Sequence, residues 1–241
     1  MKIGLVSDFS IDCEIIKNMN KIITKISEMK DFDLLLFSEA YLHGFDGLNW
    51  DYDHDVNSAL NQDSDEINII KNACKINTTA VGFGYFERVG KDIYCSYMVI
   101  NNKGEIVNNY RRLSIGWKEY TKTNSNYKEG VDLIPFEIED LRVVTVLCGD
   151  LWDDSIKNKL LNLIKANRTN IIFWPNHLDY KQEAFDSAMM EYADRTKEID
   201  VAVLLINDHS KTSYGGAVVF QQGKIIKQMK SGTVDTLVWE S

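Results

Sequence analysis

The chain has 241 residues, 44% of them hydrophobic and 26% charged, with a formal net charge of −9 at pH 7. These values fit one α/β domain over residues 1–241 and exclude a largely disordered chain. The acidic balance, with scattered lysines and arginines, argues against nucleic acid as a partner. Because no apolar stretch is long enough for a membrane span and no cleavable signal pattern is present, we expect no membrane partner and a cytoplasmic protein.

Short apolar segments alternate with amphipathic helical patterns along the chain. The apolar segments predict strands at Lys2–Val6, Leu34–Phe37, Thr79–Gly84, Ile93–Ile100, Leu133–Ile138, Val143–Leu147, Ile171–Trp174, Val201–Ile206, Gly216–Gln221 and Leu237–Glu240. Helical periodicity predicts helices at Ile11–Met29, Asp65–Lys75, Ser155–Ala166 and Gln182–Lys197. Turn residues at 101–104 and 222–223 predict hairpins. The pattern therefore indicates a mixed sheet or two packed sheets with helices.

Reactive side chains follow two of the predicted strands. Glu39 comes two residues after the strand Leu34–Phe37, and Cys148 comes directly after Val143–Leu147. Strand ends at the edge of a sheet are where catalytic groups gather, and a thiol nucleophile needs a base. Each residue alone is also compatible with an inert buried thiol or a turn carboxylate. Together they favour a nucleophile and its base, and Asp150 is predicted to cap the turn after Cys148.

The remaining cysteines and histidines do not suggest a metal site. Cys13, Cys74, Cys95 and Cys148 lack a Cys-x-x-Cys spacing and clustered histidines, so we expect reduced thiols, no metal and no cofactor. The residues that we consider for contact with a substrate follow predicted strands or lie in a nearby loop. They are Trp117, Trp152, Trp174, Asn176 and His177. The alternative for the tryptophans is ordinary core packing.

Five groups of residues occur in the order found in a known family. They are Phe37-Ser-Glu39 with Gly44-Phe45, Gly104-Glu105 before Tyr110-Arg111-Arg112, Val146–Asp150, Phe173-Trp174-Pro175, and Arg195–Glu198 with Asn207. Over nearly its whole length the chain thereby resembles the carbon–nitrogen hydrolases of the nitrilase type. The resemblance implies a four-layer αββα sandwich of two mixed β-sheets flanked by helices. It also implies a homodimer and a catalytic set of glutamate, lysine and cysteine, often with a second glutamate.

The family's catalytic positions carry over with one departure. Glu39 and Cys148 match directly, whereas Arg112 occupies the lysine position. An arginine keeps the positive charge, but its planar head is larger than an ammonium and does not give up a proton. Lys118 is the nearest alternative cation. We take Glu119 as the second glutamate, although counting back from Gly130 reaches Thr123 instead.

The resemblance implies hydrolysis of a non-peptide C–N bond in a small amide or carbamoyl compound. Cys148 would form a thioester and Glu39 would act as general base. Because of Arg112, weak or altered catalysis is expected. The alternative is a catalytically impaired relative that binds a ligand or a partner protein, and a third possibility is transfer of the acyl group to an amine.

Overall fold

Two β-sheets pack face to face in the computed structural model, which describes residues 1–166 and 168–240. The strands are β1 (Lys2–Ser7), β2 (Leu34–Leu36), β3 (Ala80–Val89), β4 (Asp92–Ile100), β5 (Ile106–Arg111), β6 (Tyr127–Lys128), β7 (Phe136–Ile138), β8 (Leu141–Thr145), β9 (Ile171–Pro175), β10 (Ala202–His209), β11 (Tyr214–Gln221), β12 (Lys224–Gln228) and β13 (Asp235–Glu240). The helices are α1 (Ile15–Glu28), α2 (Tyr52–Ser58), α3 (Asp65–Asn77), α4 (Asp154–Lys165) and α5 (Gln182–Arg195).

Both sheets are mixed. The first has the order β13-β1-β2-β3-β4-β5, with β6 beside β4, and the second has the order β12-β11-β10-β9-β8-β7. The inner strands β1, β2 and β3 are parallel to one another, as are β8, β9 and β10. The two sheets meet where β1 packs against β10 and β11, while α1 contacts α3 outside the first sheet and α5 contacts β11 and β12 of the second. The predicted αββα sandwich is confirmed.

Strands β2 and β9, in the middle of the two sheets, are apolar throughout because both of their faces are covered. All three residues of β2 and all five of β9 are buried, which is the pattern expected for strands enclosed between a second sheet and helices. Helix α1 contributes Met19, Ile22 and Ile26 to the outer layer. Within the described residues, no helix is long and apolar enough to cross a membrane.

Several element boundaries differ from the prediction for identifiable reasons. The helix predicted from Ile11 begins at Ile15, because the Asn18 side chain bonds both the N–H and the C=O of Ile11 and holds that residue outside the helix. The strand predicted from Leu133 begins only at Phe136, after Pro135, which has no N–H to donate. The hairpins predicted at 101–104 and 222–223 are confirmed, since they join β4 to β5 and β11 to β12, although no bounds were predicted for β5 and β12. Helix α2 and strand β6 were not predicted.

Candidate active site

Glu39 lies on a tight turn just after β2 and is fully buried. Ala40 has a φ of +53°, and a Cβ on Gly84 of β3 would lie 2.2 Å from the Ala40 nitrogen, so a glycine there lets the turn pass close to the strand. The Glu39 N–H donates to the Asn176 carbonyl at 3.4 Å. Asn176 was predicted to contact a substrate. It is fully buried and instead braces this turn, with its side chain donating to the Trp174 carbonyl.

Cys148 lies at the start of a 3₁₀ turn, Cys148–Trp152, that follows β8. Its φ is +35°, a backbone conformation that non-glycine residues adopt only when their surroundings enforce it. Trp174 Nε1 donates to the Cys148 carbonyl at 2.9 Å. The Trp174 ring is fully buried behind the turn and supports it, so the structure gives no support to the predicted contact of Trp174 with a substrate.

Asp150 links the Cys148 turn to the segment that follows β5. Its carboxylate accepts hydrogen bonds from the Leu147 N–H at 2.7 Å, the Ser114 N–H at 2.7 Å and the Tyr110 hydroxyl at 2.6 Å. The bond from Leu147 caps the turn, and the other two tie it to residues on either side of Arg112. The predicted capping role of Asp150 is confirmed.

Arg112 is buried beside Glu39. Its Nη1 lies 2.8 Å from Glu39 Oε1, and its Nε donates to Ser114 Oγ at 2.9 Å. A Cβ on Gly149 would lie 2.5 Å from Arg112 Nη2, so the glycine after Cys148 leaves room for the guanidinium. Burial alone would lower the pKa of Arg112, but Glu39, Cys148, Cys95 and Asp150 together outweigh burial and raise it. The cation at this position is therefore permanent.

The two oxygens of Glu39 have different surroundings. Oε1 accepts from Arg112 and from Cys95 Sγ, which is 3.4 Å away, whereas Oε2 is buried with no hydrogen-bond partner among the described residues. Burial and the Glu39 charge together raise the pKa of the Cys148 thiol to about 12, against the opposing charge of Arg112. The thiol is therefore protonated near neutral pH and needs a base to become a nucleophile.

A cavity of about 370 Å³ opens onto Cys148 and Arg112. Its wall is formed by Phe45, Asp46, Arg112, Gly116, Cys148, His177, Asp179 and Thr212. Another cavity of about 370 Å³ lies along β5 and residues 129–134, but its lining includes neither Cys148 nor Arg112. The thiol, the cation and the adjacent carboxylate therefore identify the first cavity as the candidate active site.

The family model for carbon–nitrogen hydrolases matches residues 11–228. The chain belongs to the carbon–nitrogen hydrolase family. The resemblance noted in the sequence is thus confirmed at the level of the family.

The individual relatives of this chain are distant. An arylacetone-specific nitrilase from Alcaligenes faecalis is 27% identical over 162 residues, which are 63% of this chain and 44% of that relative. The chain thus spans less than half the length of that curated relative. An amidase of the nitrilase superfamily from Nesterenkonia has a TM-score of 0.77 at 12% identity, covering 99% of this chain and 88% of the other. A CN-hydrolase superfamily protein from Xanthomonas campestris, with an arsenic adduct in its active site, has a TM-score of 0.79 at 14% identity, covering 99% and 89%. Both structures show the shared fold.

His177 faces the cavity, as the sequence predicted. Its ring stacks on Phe45 with centroids 4.1 Å apart and planes 4° apart. Nδ1 lies 3.0 Å from Asp208 Oδ1, and Nε2 lies 3.4 Å from Thr212 Oγ1. Burial alone would lower the pKa of His177, but the Asp208 carboxylate outweighs burial and raises it.

Glu119 and Lys118 are not brought to the cavity. Glu119 is exposed, and its carboxylate accepts a hydrogen bond from Thr121 at 3.0 Å. Lys118 Nζ lies 2.8 Å from Glu129 Oε1 and is nearly buried, so its charge is used within its own loop. The loop folds onto itself, with the Lys122 and Thr123 N–H groups donating to the Glu119 carbonyl. The structure therefore gives no support to Glu119 as the second carboxylate or to Lys118 as the cation beside Glu39.

The other two tryptophans lie outside the cavity. Trp117 is buried among core aromatics, with ring centroids 6.2 Å from Phe86 and 6.4 Å from Tyr127. Trp152 is 44% exposed and packs edge-to-face on Tyr192 at 5.0 Å. Both have the packing role that was the alternative to substrate contact. The wall residues that sequence reasoning missed lie in loops or pair across the fold: Phe45, Asp46, Asp179, Thr212 and, behind His177, Asp208.

Proposed function

We propose that this chain is a thiol-dependent hydrolase of small amides or carbamoyl compounds. Cys148 is the nucleophile and Glu39 the general base in this proposal. The observation that carries it is the asymmetry of Glu39, whose Oε1 is held by Arg112 while its buried Oε2 has no partner among the described residues. A carboxylate with one fixed and one free oxygen is oriented and still able to accept a proton.

In the proposed reaction, Glu39 takes the thiol proton as the sulfur attacks the carbonyl carbon of the amide. The C–N bond then breaks, the amine leaves with the proton from Glu39, and a thioester remains on Cys148. Water attacks the thioester while Glu39 accepts its proton, which releases the acid and returns the thiol. Because the pKa of the thiol is about 12, proton removal and attack must be coupled.

Arg112 has two tasks in this scheme. Its guanidinium orients Glu39, and its charge faces the cavity beside Cys148, where negative charge develops on the carbonyl oxygen during attack. Arginine holds this position through two hydrogen bonds, one to Glu39 and one to Ser114. Positive charge at the family lysine position is therefore retained in a form that orients but does not shuttle protons.

A ligand-binding relative with impaired catalysis is the second candidate. It is favoured by the protonated thiol and by the ion pair that neutralises Glu39. The two candidates differ in whether a covalent acyl group ever forms on Cys148. Acyl transfer shares the acyl intermediate with hydrolysis and differs only in the acceptor.

The deciding experiment measures ammonia release from a panel of short primary amides and, in parallel, acyl adducts by intact-protein mass spectrometry. We expect turnover and a Cys148 adduct in the natural protein and neither in Cys148→Ala. Cys74→Ala is the matched control, because Cys74 is a buried thiol on α3 outside the cavity lining. Hydrolysis that persists in Cys148→Ala contradicts the proposal, and a folded protein with neither adduct nor turnover supports the binding relative. Amide products formed with added amines would indicate acyl transfer.

A further inference from the structure

The proposed reaction leaves one buried charged pair of the cavity wall without a task. His177 is 9% exposed and Asp208 is 1% exposed, and their side chains meet at 3.0 Å. Asp208 Oδ2 has no hydrogen-bond partner among the described residues. Removing two charges from water is costly, so a pair at a cavity wall calls for a reason beyond packing.

The imidazole is fixed on two sides. One ring face stacks on Phe45, and Nδ1 is held by Asp208. The contact recorded for Nε2 is Thr212 Oγ1 at 3.4 Å, which is long for a hydrogen bond. Because His177 and Thr212 both line the cavity, Nε2 lies at its wall and is only weakly satisfied.

We infer that His177 determines specificity, by donating a hydrogen bond from Nε2 to a neutral oxygen acceptor that the substrate carries beyond the scissile amide. This inference rests on the proposed function and names the substrate class: short carboxamides with a keto, amide or similar acceptor. Asp208 and Phe45 are positioning residues, because they fix the ring and act through it.

The charges of the wall favour a neutral acceptor over an anionic one. Arg112 is balanced by Glu39, and His177 is balanced by Asp208. The remaining charged groups of the lining are Asp46 and Asp179, which are both exposed. Two carboxylates at the wall repel a substrate carboxylate, whereas a neutral oxygen meets no such penalty.

The donor exists only when the imidazole is protonated. A neutral ring that keeps its Nδ1–H on Asp208 presents Nε2 as an acceptor. Burial lowers the pKa of His177, but the facing carboxylates Asp208 on β10, Glu39 after β2 and Asp46 raise it overall. The preference for acceptors is therefore present below the pKa of His177 and is lost as pH rises through it.

The test compares kcat/KM for two pairs of primary amides that differ in a carbonyl oxygen against a methyl group: acetoacetamide with isovaleramide, and levulinamide with isocaproamide. We expect the keto amide of at least one pair to be preferred by about 10-fold or more in neutral solution. The ratio within a pair cancels the ionisation of Glu39 and Cys148, which act on both members. With rising pH the ratio should fall toward one.

His177→Phe keeps a ring on Phe45 and should bring the ratio close to one at every pH. Asp208→Asn should shift the loss of preference to lower pH, because it removes the carboxylate that raises the pKa of His177. The matched control is His54→Phe, since His54 makes the same 3.0 Å contact with Asp55 outside the cavity lining. Its ratio should not change.

The outcomes separate the two proposals. Turnover of the amides with ratios near one at all pH values overturns the role of His177 and leaves the proposed function standing. If His177→Phe lowers kcat/KM equally for both amides of a pair, His177 and Asp208 have a purely structural role, and the role of His177 in specificity is also overturned. If His177→Phe does not fold, the pH profiles of the natural protein and of Asp208→Asn decide. Absence of turnover for all four amides contradicts the proposed function and, with it, this inference.

Discussion

Two consecutive arginines at the end of β5 each pair with a buried glutamate, and the pairs differ in how completely they are satisfied. Arg111 binds Glu87 through two hydrogen bonds, Nε to Oε2 at 2.7 Å and Nη2 to Oε1 at 3.0 Å. Arg112 binds Glu39 through one, at 2.8 Å to Oε1. Successive side chains of a strand point to opposite faces, so the two pairs lie on different sides of the sheet.

The difference in hydrogen bonding indicates a structural role for the Arg111–Glu87 pair and a chemical role for the Arg112–Glu39 pair. Both oxygens of Glu87 are bonded, since Gln62 and Ser96 also donate to it. Burial alone would raise the pKa of Glu87, but the hydrogen bonds from Arg111, Gln62 and Ser96 outweigh burial and lower it. Glu39 keeps one buried oxygen without a partner among the described residues, next to a cavity that contains a thiol. Full hydrogen bonding of the Glu87 carboxylate stabilises the fold, whereas the unbonded oxygen of Glu39 is available to a reaction.

The largest expected effect on activity comes from replacing Glu39, the glutamate with one unbonded oxygen. Glu39→Gln keeps the shape and an oxygen for Arg112 but removes the base, so kcat/KM for the best amide should fall by about 10²–10⁴-fold. Glu87→Gln is the matched control and should leave kcat/KM of the folded protein nearly unchanged. Turnover at the natural rate in Glu39→Gln would show that the free oxygen has no catalytic task.

The fully hydrogen-bonded pair of Arg111 and Glu87 should instead contribute to the stability of the fold. Glu87→Gln should lower the free energy of unfolding by about 1.5–3 kcal/mol, because it leaves the half-exposed Arg111 without its carboxylate partner. Urea titration measures this change. Since the pKa of Glu87 is lowered from 4.5 on folding, its contribution is complete above the unfolded pKa and is lost as pH falls through the folded pKa. The difference between variant and natural protein should therefore shrink in acid, and a difference that grows in acid would contradict this account.

Exchanging each arginine for lysine should have a smaller and unequal effect. Arg112→Lys keeps a charge near Glu39, but its single nitrogen cannot take the places of both Nη1 beside Glu39 and Nε beside Ser114, so we expect kcat/KM to fall by about 10-fold. Arg111→Lys is the matched control and should leave kcat/KM unaltered. A gain of activity in Arg112→Lys would instead identify the arginine as a substitution that impaired an ancestral lysine site.

The elements that sequence patterns predicted are those whose local pattern agrees with their surroundings. Strands β2 and β9 are apolar on both faces and were predicted. Strand β5, with the sequence Ile-Val-Asn-Asn-Tyr-Arg, lies at a sheet edge and lacks a clear alternation, so its bounds were not predicted. The predicted turn at 101–104 nevertheless joins it to β4. The start of α1 depends on bonds from Asn18, a tertiary effect that periodicity does not report.

The residues of the candidate site likewise fall into those that sequence patterns predicted and those whose position depends on tertiary contacts. Glu39, Arg112 and Cys148 follow strands in a family order, and the fold brings these strand ends together. Glu119 was misplaced because the path of its loop is set by side-chain bonds such as that between Lys118 and Glu129. His177 and Asp208 are 31 positions apart in the sequence, and a local sequence pattern does not predict a contact over that separation.

The smallest expected effect is on the thiol itself. Burial raises the pKa of Cys148 most, the Glu39 charge raises it further and Arg112 lowers it, so Glu39→Gln should lower that pKa. Iodoacetamide labelling at about pH 9, resolved by peptide mass spectrometry, should then be faster by about 10-fold at Cys148, because the thiolate fraction controls the rate. Cys74 is the internal control: burial raises its pKa to about 12 with no contribution from Glu39, so its labelling rate should stay constant. An unchanged rate at Cys148 would mean that the Glu39 charge does not affect the thiol. The contrast between Glu39 and Glu87 would then give no reason to assign a chemical role to Glu39.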